Sequence, residues 1–376
     1  MMLLWNCSWN MFHKQQTLFY FMNFKIMVKS SASLRDVASA AGVSLGTVSR
    51  ALNNKANVLP ETRALVLKAA SDLGYKLQIR LPTAVASKLN TIGVVVKRDP
   101  GAFPRIDPFN YAVLCGIEDE CQRLGLSLMY ASLPVDEFSH ATSWSSLLEN
   151  GDVDGLIIVG VIFREPSVTS RIPHAIPVVL VDAFAAGVAC DSVLTHNVQG
   201  AYDVVKHLID HNHTHIGIIG SNASHYEHPS VSDRRQGYLK ALADHGITTP
   251  YIVDSQLHGE SAYEATIQLL TQSPHVTAIF ACNDEIAQYV MRAAKEVGRC
   301  VPDDLSVVGF DDKTIVESAS TMPLTTVHVE KELMGAIAVR QLYERAIDLD
   351  RPPITTIIGT RLVVRDSVSR VETAGA

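Results

Sequence analysis

From Thr91 onwards, short continuous apolar runs alternate with amphipathic stretches of helical periodicity. A continuous apolar run is typical of a strand that is covered on both faces, and such strands belong to parallel sheets flanked by helices. We predict strands at Ile92–Val96, Ser127–Ala131, Gly155–Gly160, Val178–Asp182, His215–Gly220, Ala278–Ala281 and Leu305–Phe310. The sequence therefore predicts an α/β fold of parallel sheets, with ligand sites at the carboxyl ends of the strands.

Charge is divided unevenly along the chain. The full sequence of 376 residues carries a formal net charge of -7. Met27–Asn90 has nine Lys and Arg against three Asp and Glu, whereas Thr91–Ala376 has 21 against 36. A basic segment joined to an acidic body is expected when only that segment contacts phosphates. The pattern indicates a nucleic-acid-binding module in Met27–Asn90.

Three short helices are predicted in Ser33–Tyr75. Ser33 is a suitable N-cap for the first helix, Gly42 allows the positive φ of a tight turn, and Ser44 caps the second helix. Pro60 suits the first turn of the third helix. Two helices joined by a tight turn and followed by a third form an all-α helix-turn-helix headpiece.

The second predicted helix, Leu45–Leu52, exposes side chains that suit the major groove of DNA. Arg50 is the candidate for base readout, because its guanidinium can pair with O6 and N7 of guanine. Leu45 can contact a thymine methyl group, and Gly46 permits close approach. We assign phosphate contacts to Thr47, Ser49, Asn53 and Lys55. The alternative is that these polar residues only solvate a small helical bundle.

A family resemblance is carried by the run LRDVASAAGVSLGTVSRALN, followed by ETR and LGY. Over Leu34–Tyr75 the chain resembles the headpiece of the lactose-repressor and galactose-repressor (LacI/GalR) family of bacterial transcription regulators. From Thr91 to Asp366 it is similar to periplasmic sugar-binding proteins and to the repressor cores related to them. The motifs of this second resemblance are IGVVV, LVD, RRQGY, NDE, SVVGFDD and PLTTV.

The resemblance implies a domain order and a mode of action. A small-molecule effector, expected to be a sugar, would bind between two Rossmann-like lobes of the core and control the binding of a palindromic operator in double-stranded DNA. Lobe crossings are expected near residues 185, 327 and 358. We therefore divide the chain into an extension (1–26), a headpiece (27–76), a hinge (77–90) and a core (91–376), with lobe one at 91–185 and 328–357 and lobe two at 186–327 and 358–376. For the extension, our hypothesis is that translation begins at Met27.

The hinge departs from the family pattern. The resemblance implies a short helix that inserts a leucine into the minor groove, but Pro82 falls inside the expected helix and Ala84 takes the leucine's place. Proline inside a helix costs about 3 kcal/mol. We expect Leu81 or Leu89 to serve as the apolar wedge instead.

Effector-binding residues follow from the same resemblance. Arg234 in RRQGY and Asp284 in CND occupy positions where family members contact the ligand, although Asp284 could also cap a helix or close a salt bridge. Phe109 stands where an aromatic ring often stacks on a sugar, with core packing as the alternative, and Asn110 is a further candidate. Leu257 replaces the aromatic that holds a flat base in some relatives, which favours a sugar over a purine.

Other residues invite roles that the sequence does not support. A metal site would need a Cys or carboxylate at suitable spacing beside the histidines, and none completes the set His207, His211, His213 and His215. We therefore expect no metal and no cofactor. We expect Asp182 and Asp311 to organise loops.

No catalytic motif of the nucleophile-elbow, P-loop or GxGxxG type precedes a predicted helix, so we expect no enzyme. The scattered cysteines suit a reducing cytosol, and no segment has the features of a signal peptide or a membrane span. We expect a cytoplasmic homodimer or higher homo-oligomer without membrane contact. The alternatives are a periplasmic-type solute-binding protein, or a regulator that responds to a nucleobase, a phosphorylated sugar or a protein partner.

Overall fold

The computed structural model describes residues 34–52, 58–73, 89–100, 106–145, 152–164, 172–173, 175–223, 228–313 and 322–372. The chain divides into two compact units, Met1–Ala84 and Val85–Ala376, and each is described by itself. Within the described ranges, no helix is both long and apolar enough to span a membrane.

Helices α1 (Leu34–Ala41), α2 (Leu45–Leu52) and α3 (Pro60–Asp72) form the described part of the first unit. The side chains buried between these helices are mostly small: Val37, Ala38, Ala41, Val48, Ala51, Val66, Ala69 and Ala70. Small residues at the contacts allow the three helices to pack closely. The predicted three-helix headpiece is confirmed.

The turn between α1 and α2 depends on Gly42 and Ser44. Gly42 has a φ of 64°, a conformation that costs glycine little. After this turn the N–H of Val43 donates to the carbonyl of Ala38 at 3.1 Å. Ser44 Oγ then accepts the N–H of Thr47 at 3.2 Å, which satisfies one of the free donors at the start of α2.

The second unit contains two parallel sheets. The strands of the first sheet, from edge to edge, are β13 (Thr355–Ile358), β7 (Asp191–Thr195), β5 (Val178–Val181), β3 (Gly155–Val159), β1 (Thr91–Arg98) and β2 (Ser127–Pro134). Helix α4 (Pro108–Leu124) contacts β2, and helix α9 (Lys331–Ile347) contacts β3, β5 and β7. A short parallel pair, β4 (Ile162–Phe163) and β6 (Phe184–Ala185), follows two of these strands.

The second sheet has its own helices. Its strands, from edge to edge, are β11 (Ser306–Val308), β10 (Ala278–Ala281), β8 (Ile216–Ile219) and β9 (Tyr251–Ile252). The helices pack in two pairs, namely α5 (Asn197–Asp210) with α6 (Pro229–Asp244) and α7 (Gly259–Gln272) with α8 (Asp284–Glu296). Strands β3, β5, β8 and β10 are buried along their whole length, as expected for strands covered on both faces. The predicted parallel α/β fold is confirmed.

The first crossing between the lobes differs from the prediction near residue 185. Strand β7 falls in the range predicted for lobe two, but it pairs with β5 and β13 of the first sheet. The chain therefore leaves lobe one only after Thr195. The apolar pattern does not reveal β7 because the strand begins with a charged residue, Asp191. This carboxylate is buried between Arg345 and Arg351, at 2.5 and 2.6 Å.

Two later connections also run between the lobes. One follows β12 (Thr326–His328) and leads into α9, and the other joins β13 to β14 (Arg361–Val363). Strands β12 and β14 pair with each other in antiparallel fashion.

Leu89 lies just before β1 and is only 4% exposed. It belongs to the hydrophobic core of the second unit, where a Cβ on Gly155 would lie 3.1 Å from its Cδ2. The expectation that Leu89 is a minor-groove wedge is therefore wrong, because its side chain packs inside the protein. The other candidate wedge, Leu81, and the hinge proline Pro82 lie outside the described residues.

Candidate functional site

Helix α2 presents a surface that we call the recognition surface, formed by Leu45, Gly46, Thr47 and Arg50. Leu45 is 47% exposed although it is a large apolar residue. Arg50 is exposed, and its Nε donates to the carbonyl of Gly46 at 3.1 Å. A Cβ on Gly46 would lie 3.9 Å from Arg50 Nη2, so the guanidinium extends along the helix over the glycine. The recognition surface therefore offers both the apolar side chain of Leu45 and the planar guanidinium donor of Arg50.

Three further DNA-contact candidates are Ser49, Asn53 and Lys55. Ser49 lies within α2, but the placement of its side chain is not described. Asn53 and Lys55 lie outside the described residues. Their assignment to phosphate contacts stays a prediction.

A cluster of charged side chains lies between the two lobes of the second unit, and we call it the cleft cluster. Its members are Asp107, Asp182, Arg234, Asp284, Asp311 and Lys313. Three of its carboxylates follow the carboxyl ends of parallel strands: Asp182 comes after β5, Asp284 after β10, and Asp311 after β11. This is the edge at which ligands bind to sheets of this kind.

Arg234 is anchored at the centre of the cleft cluster. Its Nε donates to Asn197 Oδ1 at 2.9 Å, its Nη1 to the carbonyl of Cys282 at 2.7 Å, and its Nη2 to Asp311 Oδ1 at 3.0 Å. The guanidinium also lies 3.9 Å from the centre of the Phe310 ring, a favourable cation–π contact. The structure gives Arg234 Asp311 as its ionic partner, and its contact with an effector stays a prediction.

Asp284 is held by internal hydrogen bonds. Thr326 Oγ1 donates to its Oδ1 at 2.5 Å, and the N–H of Lys313 donates to its Oδ2 at 2.7 Å. The side chain is 2% exposed. Burial, together with the nearby charge of Asp311, raises the pKa of Asp284 to about 7. In this arrangement Asp284 positions the chain around Lys313, and each of its oxygens accepts one internal hydrogen bond. Its contact with an effector stays a prediction.

Lys313 and Asp107 join the two lobes. Lys313 Nζ lies 2.8 Å from Asp107 Oδ2 and 3.9 Å from Asp311 Oδ2. Burial works to raise the pKa of Asp107, but the ammonium of Lys313 outweighs it and holds that pKa below its usual value. Asp107 also caps α4, because its Oδ1 accepts the N–H of Phe109 at 2.8 Å.

A second contact between the lobes involves Asp182. Ser230 Oγ donates to Asp182 Oδ1 at 2.5 Å. Burial works to raise the pKa of Asp182, but His228 and the Ser230 hydroxyl together lower it. Asp182 and Asp311 both have positive φ, at 44° and 101°. Backbone strain of this kind at non-glycine residues concentrates at ligand sites and switch regions.

The other effector candidates are Phe109, Asn110 and Leu257. Phe109 and Asn110 are both buried, and Phe109 belongs to the hydrophobic core. The structure therefore gives the Phe109 ring a packing role, which is the alternative that the sequence left open. Leu257 is exposed in the connection between β9 and α7, at the carboxyl end of the second sheet.

Several residues of this site are not evident from the sequence. Asp107, Asn197, Ser230 and Lys313 were not among the candidates, and Asp182 and Asp311 were expected only to organise loops. Asp107 carried a local signal, since it precedes Pro108 at the start of α4, as helix caps do. Lys313 carried none.

Among the four histidines of the run, the buried residue His213 has a structural role. Both ring nitrogens of His213 are engaged, Nδ1 with Thr277 Oγ1 at 2.9 Å and Nε2 with the carbonyl of Ser369 at 3.0 Å. Burial lowers the pKa of His213 to about 4. Within the described part of the chain, no three His, Cys, Asp or Glu side chains are grouped so that they could hold a metal ion.

Two family descriptions match the chain. Bacterial regulatory proteins, lacI family, match residues 33–78, and the periplasmic binding protein-like domain matches residues 205–368. The HTH-type transcriptional repressor PurR of Mannheimia succiniciproducens is 31% identical over 350 residues, which cover 90% of this chain and 99% of the relative. The ribose operon repressor of Haemophilus influenzae is 31% identical over 345 residues, which cover 90% of this chain and 98% of the relative.

Solved structures agree with the fold. A complex of the transcriptional regulator CelR with cellobiose is 27% identical, has a TM-score of 0.64, and covers 89% of this chain and 99% of its own. The lac repressor dimer bound to operator and the anti-inducer ONPF is 24% identical, has a TM-score of 0.60, and covers 90% of this chain and 100% of its own. This second likeness concerns the fold alone.

Proposed function

The chain belongs to the lacI family of bacterial regulatory proteins, and on that premise we propose that it represses sugar-utilisation genes in response to a sugar. It is a DNA-binding transcription regulator with an effector-binding core. In the proposed mechanism two headpieces of a homodimer bind a palindromic operator, and the sugar in the cleft changes operator affinity. A homodimer is needed because one headpiece makes too few contacts for specific affinity.

The observation that carries DNA binding is the recognition surface of α2. The helix has no acidic residue, its one charged side chain is Arg50, and its apolar residues Val48 and Ala51 are buried on the opposite side. A helix of this kind can enter the major groove without repulsion from phosphates. The basic charge of Met27–Asn90 adds affinity that does not depend on sequence.

Charge pairing in the cleft supports an uncharged, polyhydroxylated effector. Arg234 is paired with Asp311, and Lys313 with Asp107. A phosphorylated sugar would have to take one of these cations from its carboxylate, whereas neutral hydroxyl groups can bond to the outer lone pairs of the same carboxylates. The complex of the relative CelR with cellobiose is consistent with this class.

We propose that the protein has no enzymatic activity and no cofactor. We also propose a cytoplasmic location, since binding at an operator requires access to the bacterial chromosome. The competing functions differ in what they bind. A solute-binding protein would bind the sugar but no specific DNA, and a regulator of another class would respond to a nucleobase, a phosphorylated sugar or a protein.

Footprinting of genomic DNA fragments with the purified full chain tests the DNA-binding half. We expect protection of a palindrome with affinity of about 10⁻⁸ to 10⁻¹¹ M, and neighbouring genes for sugar uptake or breakdown. A thermal-shift screen then compares neutral sugars with their phosphates and with nucleobases, because a saturating ligand raises the melting temperature. Stabilisation by neutral sugars without any protected DNA sequence would favour the solute-binding alternative. Stabilisation only by phosphates or nucleobases would exclude the neutral-sugar effector.

A further inference from the structure

Two side-chain contacts of the cleft cluster cross from one lobe of the core to the other. Asp107 caps α4 in the first lobe and pairs with Lys313, which follows β11 of the second lobe. Asp182 follows β5 in the first lobe and accepts from Ser230 at the start of α6 in the second. The cleft cluster therefore contains its own bridges between the lobes.

The Asp107–Lys313 bridge is the shorter of the two charged contacts that Lys313 makes, at 2.8 Å against 3.9 Å for Asp311. The side chains of Lys313 and Asp107 are 8% and 21% exposed, so little water competes for the pair. Its second carboxylate, Asp311 at 3.9 Å, is already bonded to Arg234. Lys313 thus depends mainly on Asp107, which belongs to the other lobe.

Lys313 is also held in place from its own side. Its backbone N–H donates to the buried carboxyl of Asp284, and that carboxyl is fixed in turn by Thr326. A side chain whose backbone is anchored in this way loses less conformational freedom when it forms an ion pair. Asp107 is fixed as well, because its other oxygen caps α4.

From this geometry we propose that Asp107 and Lys313 form a latch that holds the two lobes together across the cleft. Opening the cleft separates the two charges and leaves both at the surfaces of a partly buried gap. The latch therefore sets how often the cleft opens, and with it the access of any small molecule to the cleft. This inference does not depend on which molecule that is.

Two substitutions break the latch and keep the backbone contacts on either side of it. Asp107→Asn removes the charge but keeps an oxygen that can cap α4, since Asn is as good a helix cap as Asp. Lys313→Met removes the ammonium but keeps the backbone bond to Asp284. The matched control is Arg235→Met, which breaks the ion pair of Arg235 with Asp254 (2.7 Å) within the second lobe.

Hydrogen exchange of the ligand-free full chain, followed by mass spectrometry, measures opening. The segments to follow are 179–185 and 228–234, which carry Asp182 and Ser230 on opposite sides of the cleft. We expect each latch variant to exchange about tenfold faster or more in both segments, the factor that corresponds to about 1.4 kcal/mol. The double variant should be about as fast as the single variants, because both remove the same interaction.

The control should keep the exchange rate of the parent protein in segment 179–185. The proposal is overturned if both single variants exchange at the parent rate. It is equally overturned if the control accelerates exchange as much as they do, or if the effects of the two single variants multiply in the double variant. Circular dichroism of each variant confirms that the helices are retained during the measurement.

Discussion

Asp311 Oδ1 and Arg234 Nη2 lie 3.0 Å apart, and each of the two side chains is only 6% exposed. Removing one partner of such a buried pair leaves an uncompensated charge, which is far more costly than the loss of one exposed salt bridge. A substitution of only one of the two residues should therefore destabilise the folded protein strongly.

Arg234→Met should lower the free energy of unfolding by about 3–5 kcal/mol. Lys313, at 3.9 Å from Asp311, can compensate only in part. Urea unfolding at neutral pH measures the loss. Adding Asp311→Asn to Arg234→Met should restore part of the stability, since no buried charge then lacks a partner. A loss below roughly 1 kcal/mol in Arg234→Met, the range of exposed ion pairs, would contradict the prediction.

Arg50→Ala should weaken operator binding and blur preference at one base pair. A guanidinium bonded to guanine contributes roughly 1–3 kcal/mol of discrimination. Binding to a set of operators with single substitutions measures the effect. Arg35→Ala, an exposed arginine on α1, is the control and should leave base preference unchanged. An equal loss of affinity for every sequence would reassign Arg50 to a phosphate contact.

Gly46→Ala should separate headpiece stability from DNA binding. Only the side-chain atoms of Arg50 and Ser44 come as near as 3.9 Å to a Cβ at this position, so the new methyl group meets no clash. Alanine in a helix is more stable than glycine by roughly 0.5–1 kcal/mol. We expect slower hydrogen exchange in α2 together with weaker operator binding, because the methyl group fills the recognition surface. Unchanged operator affinity would show that Gly46 does not approach the DNA.

Local sequence pattern predicted the parts of the fold that depend on local burial. Strands such as β3 and β10 are buried at every position, so their apolar runs stand out. Strand β7 begins with Asp191, whose charge is neutralised by Arg345, a residue far away along the chain. The pattern of a short stretch of sequence does not reveal this ion pair.

The cleft cluster was harder to predict for the same reason. Arg234 and Asp311 are separated by 77 positions, and Asp107 and Lys313 by 206. The family motifs indicated Arg234 and Asp284, but they could not show that Asp284 is bonded internally. Burial also changed the interpretation of Leu89 and Phe109, because an apolar residue at a boundary fits a core and an interface equally well.

Helices α4 and α9 cross at two glycines, and Gly116→Ala should destabilise the core. A Cβ on Gly116 would lie 1.9 Å from the carbonyl oxygen of Glu332, and a Cβ on Gly335 would lie 2.1 Å from that of Val113. Both obstacles are backbone atoms, so the helices would have to separate. Overpacking costs about 1–3 kcal/mol or more, which exceeds the gain of about 1 kcal/mol in helix propensity.

Thermal unfolding measures this effect. Gly359→Ala is the control, since no atom lies within 4 Å of a Cβ at that position, and its melting temperature should stay close to that of the parent protein. A melting temperature of Gly116→Ala at or above the parent value would show that α4 and α9 do not cross as closely as described.

Asp284 should make the protein less stable as the pH rises from about 4 towards 7. Its pKa in the folded protein is raised from 3.8 to about 7, by burial first and by Asp311 second. Between these two values the folded chain holds a proton on Asp284 that the unfolded chain has released, so each step up in pH favours unfolding. Above about pH 7 both states are ionised at this residue, and the penalty is complete and constant.

Asp284→Asn removes this pH dependence, because an amide does not titrate. The substitution also disturbs the bonds to Thr326 and Lys313, but that cost is the same at every pH. We therefore expect the stability of Asp284→Asn relative to the parent protein to rise between pH 5 and pH 7 and to level off above that range. Urea unfolding at intervals of pH measures both proteins. Asp350→Asn, at an exposed carboxyl, serves as the control and should follow the parent profile. If Asp284→Asn also runs parallel to the parent across this range, Asp284 is ionised throughout, and the buried carboxyl does not hold its proton.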